Sequence, residues 1–370
     1  LYNSRTRSQK KENVNKFFVS EMCLPQTIDI LNTRSEPLGI EIIIGNHLEY
    51  DFSKSCFAVL LQYPGKYGEV TDYAEFSSKV KEQEIAIIVA ADLLSLTMLK
   101  PPGEWGVDVV VGTTQRFGIP LGYGGPHAAY FATLEKYKRS IPGRIIGVSE
   151  DLDGNKALRM ALQTREQHIK REKATSNICT AQALLATMAG MYAVYHGPDG
   201  VKAIATSIHD LTSILAEGLK QLGYHQKNKN FFDTIKIKLG NVNIENVIQY
   251  SDAKQVNFNI IDNQYLSISI DEKDDIDTIK DILEIFALSS GHKDSENLIN
   301  EVIYLNIKSE NLDNNLLRTS KFMQHAIFNK YHSETDMMRY IKSLENKDFS
   351  LTSSMIALGS CTMKLNAASE

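Results

Sequence analysis

The stretch Ile85–Phe131, IAIIVAADLLSLTMLKPPGEWGVDVVVGTTQRFGIPLGYGGPHAAYF, limits the possible folds more than any other part of the chain. It holds three short apolar runs, Ile85–Ala91, Val107–Val111 and Ala128–Phe131, rich in Val, Ile, Ala or aromatic residues and bounded by Gly or Pro. Runs of about four to eight such residues predict strands buried on both faces of a mostly parallel sheet. The first ends in Asp92 and the second in Thr113-Thr114-Gln115. Gly118–Pro126, between the last two, is too rich in Gly and Pro for regular structure.

The flanking sequence alternates in the same way. Lys16–Ser20 and Gly39–Ile44 predict strands around a helix at Pro25–Ser35, which Pro37 and Gly39 stop. Ala58–Leu61 predicts a strand, Tyr63–Glu69 a turn-rich loop and Asp72–Glu82 a helix. Strand–helix–strand spacing of this kind predicts right-handed crossovers and a doubly wound α/β sheet. Ser140–Gly147 reads as a loop. Leu158–Lys173 reads as a polar helix or loop carrying Arg159, Arg165, Lys170, Arg171 and Lys173. That cluster is either a solvated face paired with Glu166 and Glu172 or a basic wall around an anionic pocket or partner.

Thr175–Tyr195 predicts an apolar helix with an N-cap among its first residues, ended by Gly197-Pro-Asp-Gly200. Val201–Leu222 is amphipathic, with apolar positions at 204, 208, 211, 214, 215 and 219. A strand at Phe232–Leu239, a helix at Glu245–Ala253, a hairpin of Val256–Ile261 with Tyr265–Ile270, and a helix at Asp274–Ala287 follow. They predict a small β-α-β-β-α domain. Gly291–Asn315 reads as a linker with a short helix and Phe322–Leu344 as helical. The expected division is 1–200 for a large domain, 201–290 for the small one, and 291–370 for a linker and the start of a further unit.

With 43% hydrophobic and 23% charged residues, 370 residues suffice for a large core. A formal charge of −5 argues against nucleic acid as the main partner. No run approaches the length of a transmembrane helix. Cys23, Cys56, Cys179 and Cys361 form no CxxC pair, which suits a reducing compartment and no metal site. The first residues have no signal-peptide core and the chain does not begin with Met, so it reads as a fragment with further sequence upstream. Gly122-Tyr-Gly-Gly125 fits neither GxGxxG nor GxxxxGK[ST] and precedes a strand, which argues against a nucleotide site.

The strings GTTQRFGIPLGYGGPHAAYFA, SIPGRIIGVSEDLDGNKALRMALQTREQHIKREKATSNICTAQ, NKYHSETDMMRY and LGSCTMKLN resemble the P-protein family of the glycine cleavage system, glycine dehydrogenase (decarboxylating). The resemblance runs from about residue 15 to the end, broken only by a divergent small domain. It implies an aminotransferase-like, fold type I architecture of the enzymes that use pyridoxal 5'-phosphate (PLP), as the later part of a first half joined to the start of a second. It also implies decarboxylation of glycine with aminomethyl transfer to the lipoyl group of the H-protein. The implied partners are a catalytic C-terminal half or subunit, lipoylated H-protein and glycine, with no membrane and no nucleic acid, in a homodimer or heterotetramer. The implied location is the cytoplasm of a bacterium, or the mitochondrial matrix of a eukaryote; the cytoplasm is preferred.

In the family's catalytic half, a lysine in a His-Lys-Thr-Phe segment binds the PLP aldehyde and an aspartate faces the pyridine nitrogen. Aligned through the shared Phe, Ile-Pro and Gly-Gly-Pro residues, the lysine position falls on Gln115 and the aspartate on Asp92. A carboxamide forms no imine with an aldehyde, so the resemblance implies no catalytic residue here and a pseudo-site of Asp92, Gln115, Gly124, Gly125 and His127. Asp92 is either a relic of that role or a strand-end carboxylate capping backbone. His127 is expected in the pocket or the core. The remaining pocket candidates are His332, Ser360, Cys361 and Thr362, whose side chains suit hydrogen bonding to a substrate or cofactor oxygen or, equally, to turn backbone. Cys179, at a helix start, is either a thiol of lowered pKa or a small buried hydrophobe. The alternative function is a scaffold or partner-binding subunit without chemistry.

Overall fold

Six strands build the first sheet: β1 (Lys16–Ser20), β2 (Glu41–Gly45), β3 (Cys56–Tyr63), β4 (Ala86–Ala91), β5 (Val109–Thr113) and β6 (Ala129–Thr133). Their order is β2-β1-β3-β4-β5-β6 in a computed structural model that describes residues 1–52, 56–141, 145–162, 182–292, 296–304 and 312–347. Neighbours from β2 to β5 are parallel. Helices Pro25–Ser35 and Ala74–Lys81 supply two of the crossovers that parallel pairing demands. The Gly- and Pro-rich segment after β5 contains no helix, and β6 returns antiparallel to β5. This corrects the expectation of a third strand buried on both faces: Ala129, Phe131 and Ala132 of β6 are exposed on a sheet edge.

β3 is buried at all but one position, as a strand covered on both sides must be. Phe18, Val59, Leu61, Ile87 and Val89 face the main core. Phe17, Val19, Phe57 and Leu60 face the other side, where Ile28 and Leu31 of helix Pro25–Ser35 cover them.

A second correction concerns β7 (Ile145–Glu150) and β8 (Lys156–Leu162), an antiparallel hairpin where a loop and then a helix or loop were expected. Its turn is local chemistry. Asp151 Oδ1 accepts from the backbone N–H groups of Asp153 and Asn155, and Gly154 adopts φ +79°. Of the basic cluster, Arg159 lies on β8 opposite Gly147. Arg165, Lys170, Arg171, Lys173 and Cys179 lie outside the described residues.

Gln182–Gln221 is helical with one break, where Gly197 takes φ 63° and ψ −177° ahead of Pro198. The expected stop is therefore a break between two helical segments. Beyond it Val201, Ala205, Ile208, Leu215 and Leu219 are buried, a stripe at helical spacing. This helix carries the chain past position 200 to the second sheet, β9 (His225–Gln226), β10 (Thr234–Lys238), β11 (Asn259–Ile260) and β12 (Tyr265–Ser269), in the antiparallel order β11-β12-β10-β9. Asp262 Oδ1 accepts from the N–H groups of Gln264 and Tyr265, closing the expected hairpin. Helices Ile244–Ala253 and Ile276–Ser289 are N-capped by Asn243 and Asp275.

Helix Glu296–Tyr304 buries Ile299 and Val302, and residues from 312 onward run back to the first sheet. Lys100 N donates to Leu316 O (2.7 Å), Arg318 N to Met98 O (2.7 Å) and Arg318 Nη1 to Leu96 O (2.7 Å). The stretch expected to be helical from Phe322 is a helix only at Glu334–Glu345, after a 3-10 turn at Ala326–Asn329. Among the described residues no helix is long and apolar enough to cross a membrane.

Candidate functional site

Ligands of open α/β sheets bind in the crevice outside the carboxyl ends of the parallel strands. At that edge Asp92 follows β4, and Thr113–Arg116 close β5 and begin the turn beyond it. Asp92 Oδ2 accepts from the Ser95 N–H at 3.0 Å, and Ser95 Oγ donates to Asp92 O at 2.9 Å, so the capping role is present. Thr113 Oγ1 accepts from the Gln115 N–H at 3.0 Å, and Thr114 Oγ1 donates to Ala128 O at 3.1 Å. These bonds fix the direction of Gln115. Its Nε2 is buried without a hydrogen-bond partner, and a Cβ built on Gly125 would stand 4.0 Å from it.

The residue after Gln115 dominates the electrostatics. Arg116 Nη1 lies 3.3 Å from Asp92 Oδ2 and also pairs with Asp233 Oδ2 at the start of β10. The side chains are 19%, 21% and 16% exposed for Arg116, Asp92 and Asp233, so the network is largely removed from solvent. The Phe232 ring centroid lies 5.5 Å from the guanidinium carbon. Burial pushes the Asp92 carboxyl up, to about 6, against the pull of Arg116 and with a further push from Asp233. Burial alone would lower the Arg116 pKa, but Asp92 and Asp233 together raise it above its ordinary value. Arg116 is thus a permanent cation shared by two carboxylates.

Of the other expected site residues, Gly125 lies against the Gln115 amide, whereas His332 lies elsewhere, beside the helix break. His127 is exposed, not in the core, and its Nδ1 lies 2.8 Å from Gly125 O. Gly124 has nothing within 4 Å of a would-be Cβ, and Gly125 adopts φ +60°. His332 is also exposed and donates from Nδ1 to Tyr195 O (2.7 Å) beside the helix break. A Cβ on Gly197 would meet Phe328 O and His332 Cε1, each at 2.6 Å, at φ +63°. Gly197→Ala is therefore expected to lower folding free energy by about 1–3 kcal/mol, measurable by urea unfolding. Ser360, Cys361 and Thr362 lie outside the described residues. Cys23 and Cys56 are buried thiols pushed up by that burial, to about 12 and about 11.

Sequence reasoning gave no role to Arg116 or Asp233. Arg116 adjoins Gln115, but Asp233 is 117 residues away and nothing local in its segment marks it.

Comparison with known proteins agrees with this architecture. A family model described as the glycine cleavage system P-protein matches residues 4–286. A glycine dehydrogenase (decarboxylating) of Flavobacterium johnsoniae is 58% identical over 370 residues, all of this chain and 38% of that protein. One from Nostoc punctiforme is 54% identical over 97% of this chain and 37% of its own length. The chain thus spans under two fifths of the curated relatives it matches. A crystal structure titled as inhibitor-bound glycine decarboxylase (P-protein) superposes with TM-score 0.65 and 26% identity, covering 76% of this chain and 67% of that one. A NifS-like protein at TM-score 0.51 and 12% identity shares the fold alone. The fold is that of the fold type I PLP enzymes, as expected. A match of this length, with relatives more than half identical along nearly the whole sequence, places the chain in the glycine cleavage system P-protein family.

Proposed function

We propose that this chain is the part of a glycine decarboxylase that holds no covalent cofactor and acts as a platform for the part that does. The names of its relatives support decarboxylation of glycine; in this reading the aminomethyl group left behind passes to the lipoyl group of the H-protein. PLP, when bound by the other half, would stabilise the charge left as CO2 departs. Glycine, that catalytic half and the lipoylated H-protein are the partners this reading carries.

PLP does not fit the residues at this chain's own crevice. Gln115 offers an amide, whose nitrogen lone pair is delocalised into the carbonyl and does not condense with an aldehyde. Asp92, the carboxylate nearby, is already paired with Arg116. That pairing, beside an amide where an amine is required, is the observation that carries the proposal. No step of the reaction is routed through these residues. Ser95 and Arg116 hold Asp92, and Thr113 holds the Gln115 backbone.

The test is reductive trapping. The purified chain is incubated with equimolar PLP, reduced with borohydride and mapped by mass spectrometry. No stoichiometric single-site adduct is expected. A stoichiometric adduct at one lysine, with Lys100, Lys136 and Lys364 the first positions to inspect, would overturn the reading.

A further inference from the structure

We infer that the crevice outside β4 and β5 is a built site for a planar cation, and that Arg116 occupies it from within as a clasp between the first sheet and the second. Two carboxylates converge on one guanidinium nitrogen, Nη1: Asp92 from the end of β4 and Asp233 from the residue before β10. Neither is free to swing away. Asp92 is held by the Ser95 N–H. Asp233 accepts from Thr234 Oγ1 at 2.9 Å through Oδ1, and its carbonyl accepts from the Ile270 N–H at 2.9 Å. The preceding carbonyl, Phe232 O, is 2.7 Å from Nδ1 of the buried His209, which fixes the backbone carrying the ring that flanks the guanidinium.

Burial separates this from an ordinary surface pair such as Lys79–Glu75, whose side chains are 70% and 82% exposed. Arg116 Nη2 is buried with no hydrogen-bond partner, so the two contacts at Nη1 carry the pairing. A delocalised, weakly hydrated planar ion costs less to bury than a compact ammonium and can lie beside the Phe232 ring. Emptied of Arg116, the site would take ions of guanidinium class. Filled by it, the residue before β10 stays tied to the end of β4. The clasp stands on the geometry of Asp92, Arg116 and Asp233, so the outcome of borohydride trapping leaves it untouched.

The experiment is thermal unfolding of the full chain carrying Arg116→Ala, titrated with methylguanidinium chloride against methylammonium chloride and sodium chloride at equal ionic strength. A saturable upward shift in Tm is expected with methylguanidinium alone. It should be absent from the wild type and abolished when Asp92→Asn and Asp233→Asn are added. No saturable shift, or an equal one with methylammonium, overturns the inference. Where Arg116→Ala does not fold, the unaltered chain is examined by arginine side-chain NMR, with Arg116→Lys assigning the signal. The Arg116 guanidinium protons should exchange at least about ten-fold more slowly than those of exposed arginines, and equal rates overturn the clasp.

Discussion

Arg116→Ala is expected to lower the folding free energy by about 3–5 kcal/mol, the range found when one partner of a buried ion pair is removed. The loss comes less from the missing attraction than from what stays behind. Asp92 and Asp233 would remain largely buried, near one another, with no cation between them and with Glu272 adding to the negative field around Arg116. The deficit should depend on pH with a definite sign. In the variant, burial and the nearby Asp233 charge, no longer opposed by Arg116, hold the folded-state pKa of Asp92 above the unfolded value. The folded state then binds protons the unfolded state has released, so the variant loses stability as pH rises through that window. Its deficit against the wild type should shrink between about pH 8 and about pH 5. Urea unfolding of both proteins across that range checks it. A deficit under about 1 kcal/mol at neutral pH would mean that the pair behaves as an exposed one. Arg116→Lys should lose less, since it keeps the charge, yet more than nothing, since one ammonium lacks the planar fork.

The second large effect is at Gly68. This glycine adopts φ +90° in the loop after β3, and a Cβ there would stand 1.9 Å from Thr234 O and 2.6 Å from the Thr234 carbonyl carbon. The obstruction is backbone, which has no rotamer to relieve it. The loop is also tied down: Val70 N donates to Asn230 O at 3.0 Å, and Asn228 Nδ2 reaches Tyr67 O at 3.3 Å and Thr234 O at 2.9 Å. Gly68→Ala must therefore adopt an unfavourable left-handed conformation and push β10 away together. A loss of about 3 kcal/mol or more is expected, with a lower urea midpoint. Gly39→Ala is the control, because φ is +63° there but nothing lies within 4 Å of the added methyl. The Gly68 effect should exceed the Gly39 effect by the contribution of the clash.

Both predictions concern the same seam, where the loops at the carboxyl ends of the first sheet meet β10. That seam was the least legible part of the sequence. The capping reading of Asp92 was legible because a buried strand ending in a carboxylate is a local pattern, and the Ser95 N–H it caps is three positions on. The amide at Gln115 was equally visible, being a matter of residue identity. The partner that gives the pair its character was not, since Arg116 and Asp233 lie in segments that look ordinary apart.

What the sequence determined by itself is what short-range physics determines. The 3.6-residue apolar period beyond Gly197, the αL turn at Gly39 and the Asp262 turn are each set by a few neighbouring side chains. Tertiary structure alone decided the rest. The Ile145–Leu162 hairpin was misread because its alternating residues are split across a turn and interrupted by Gly147 and Arg159. β6 reverses because the segment before it forms no crossover helix, and a strand's direction depends on that connection rather than on its own residues. The Asp92–Arg116–Asp233 network exists only once the long helix has brought β10 beside β4. Contact between residues over a hundred positions apart leaves no periodic trace in a chain read one window at a time.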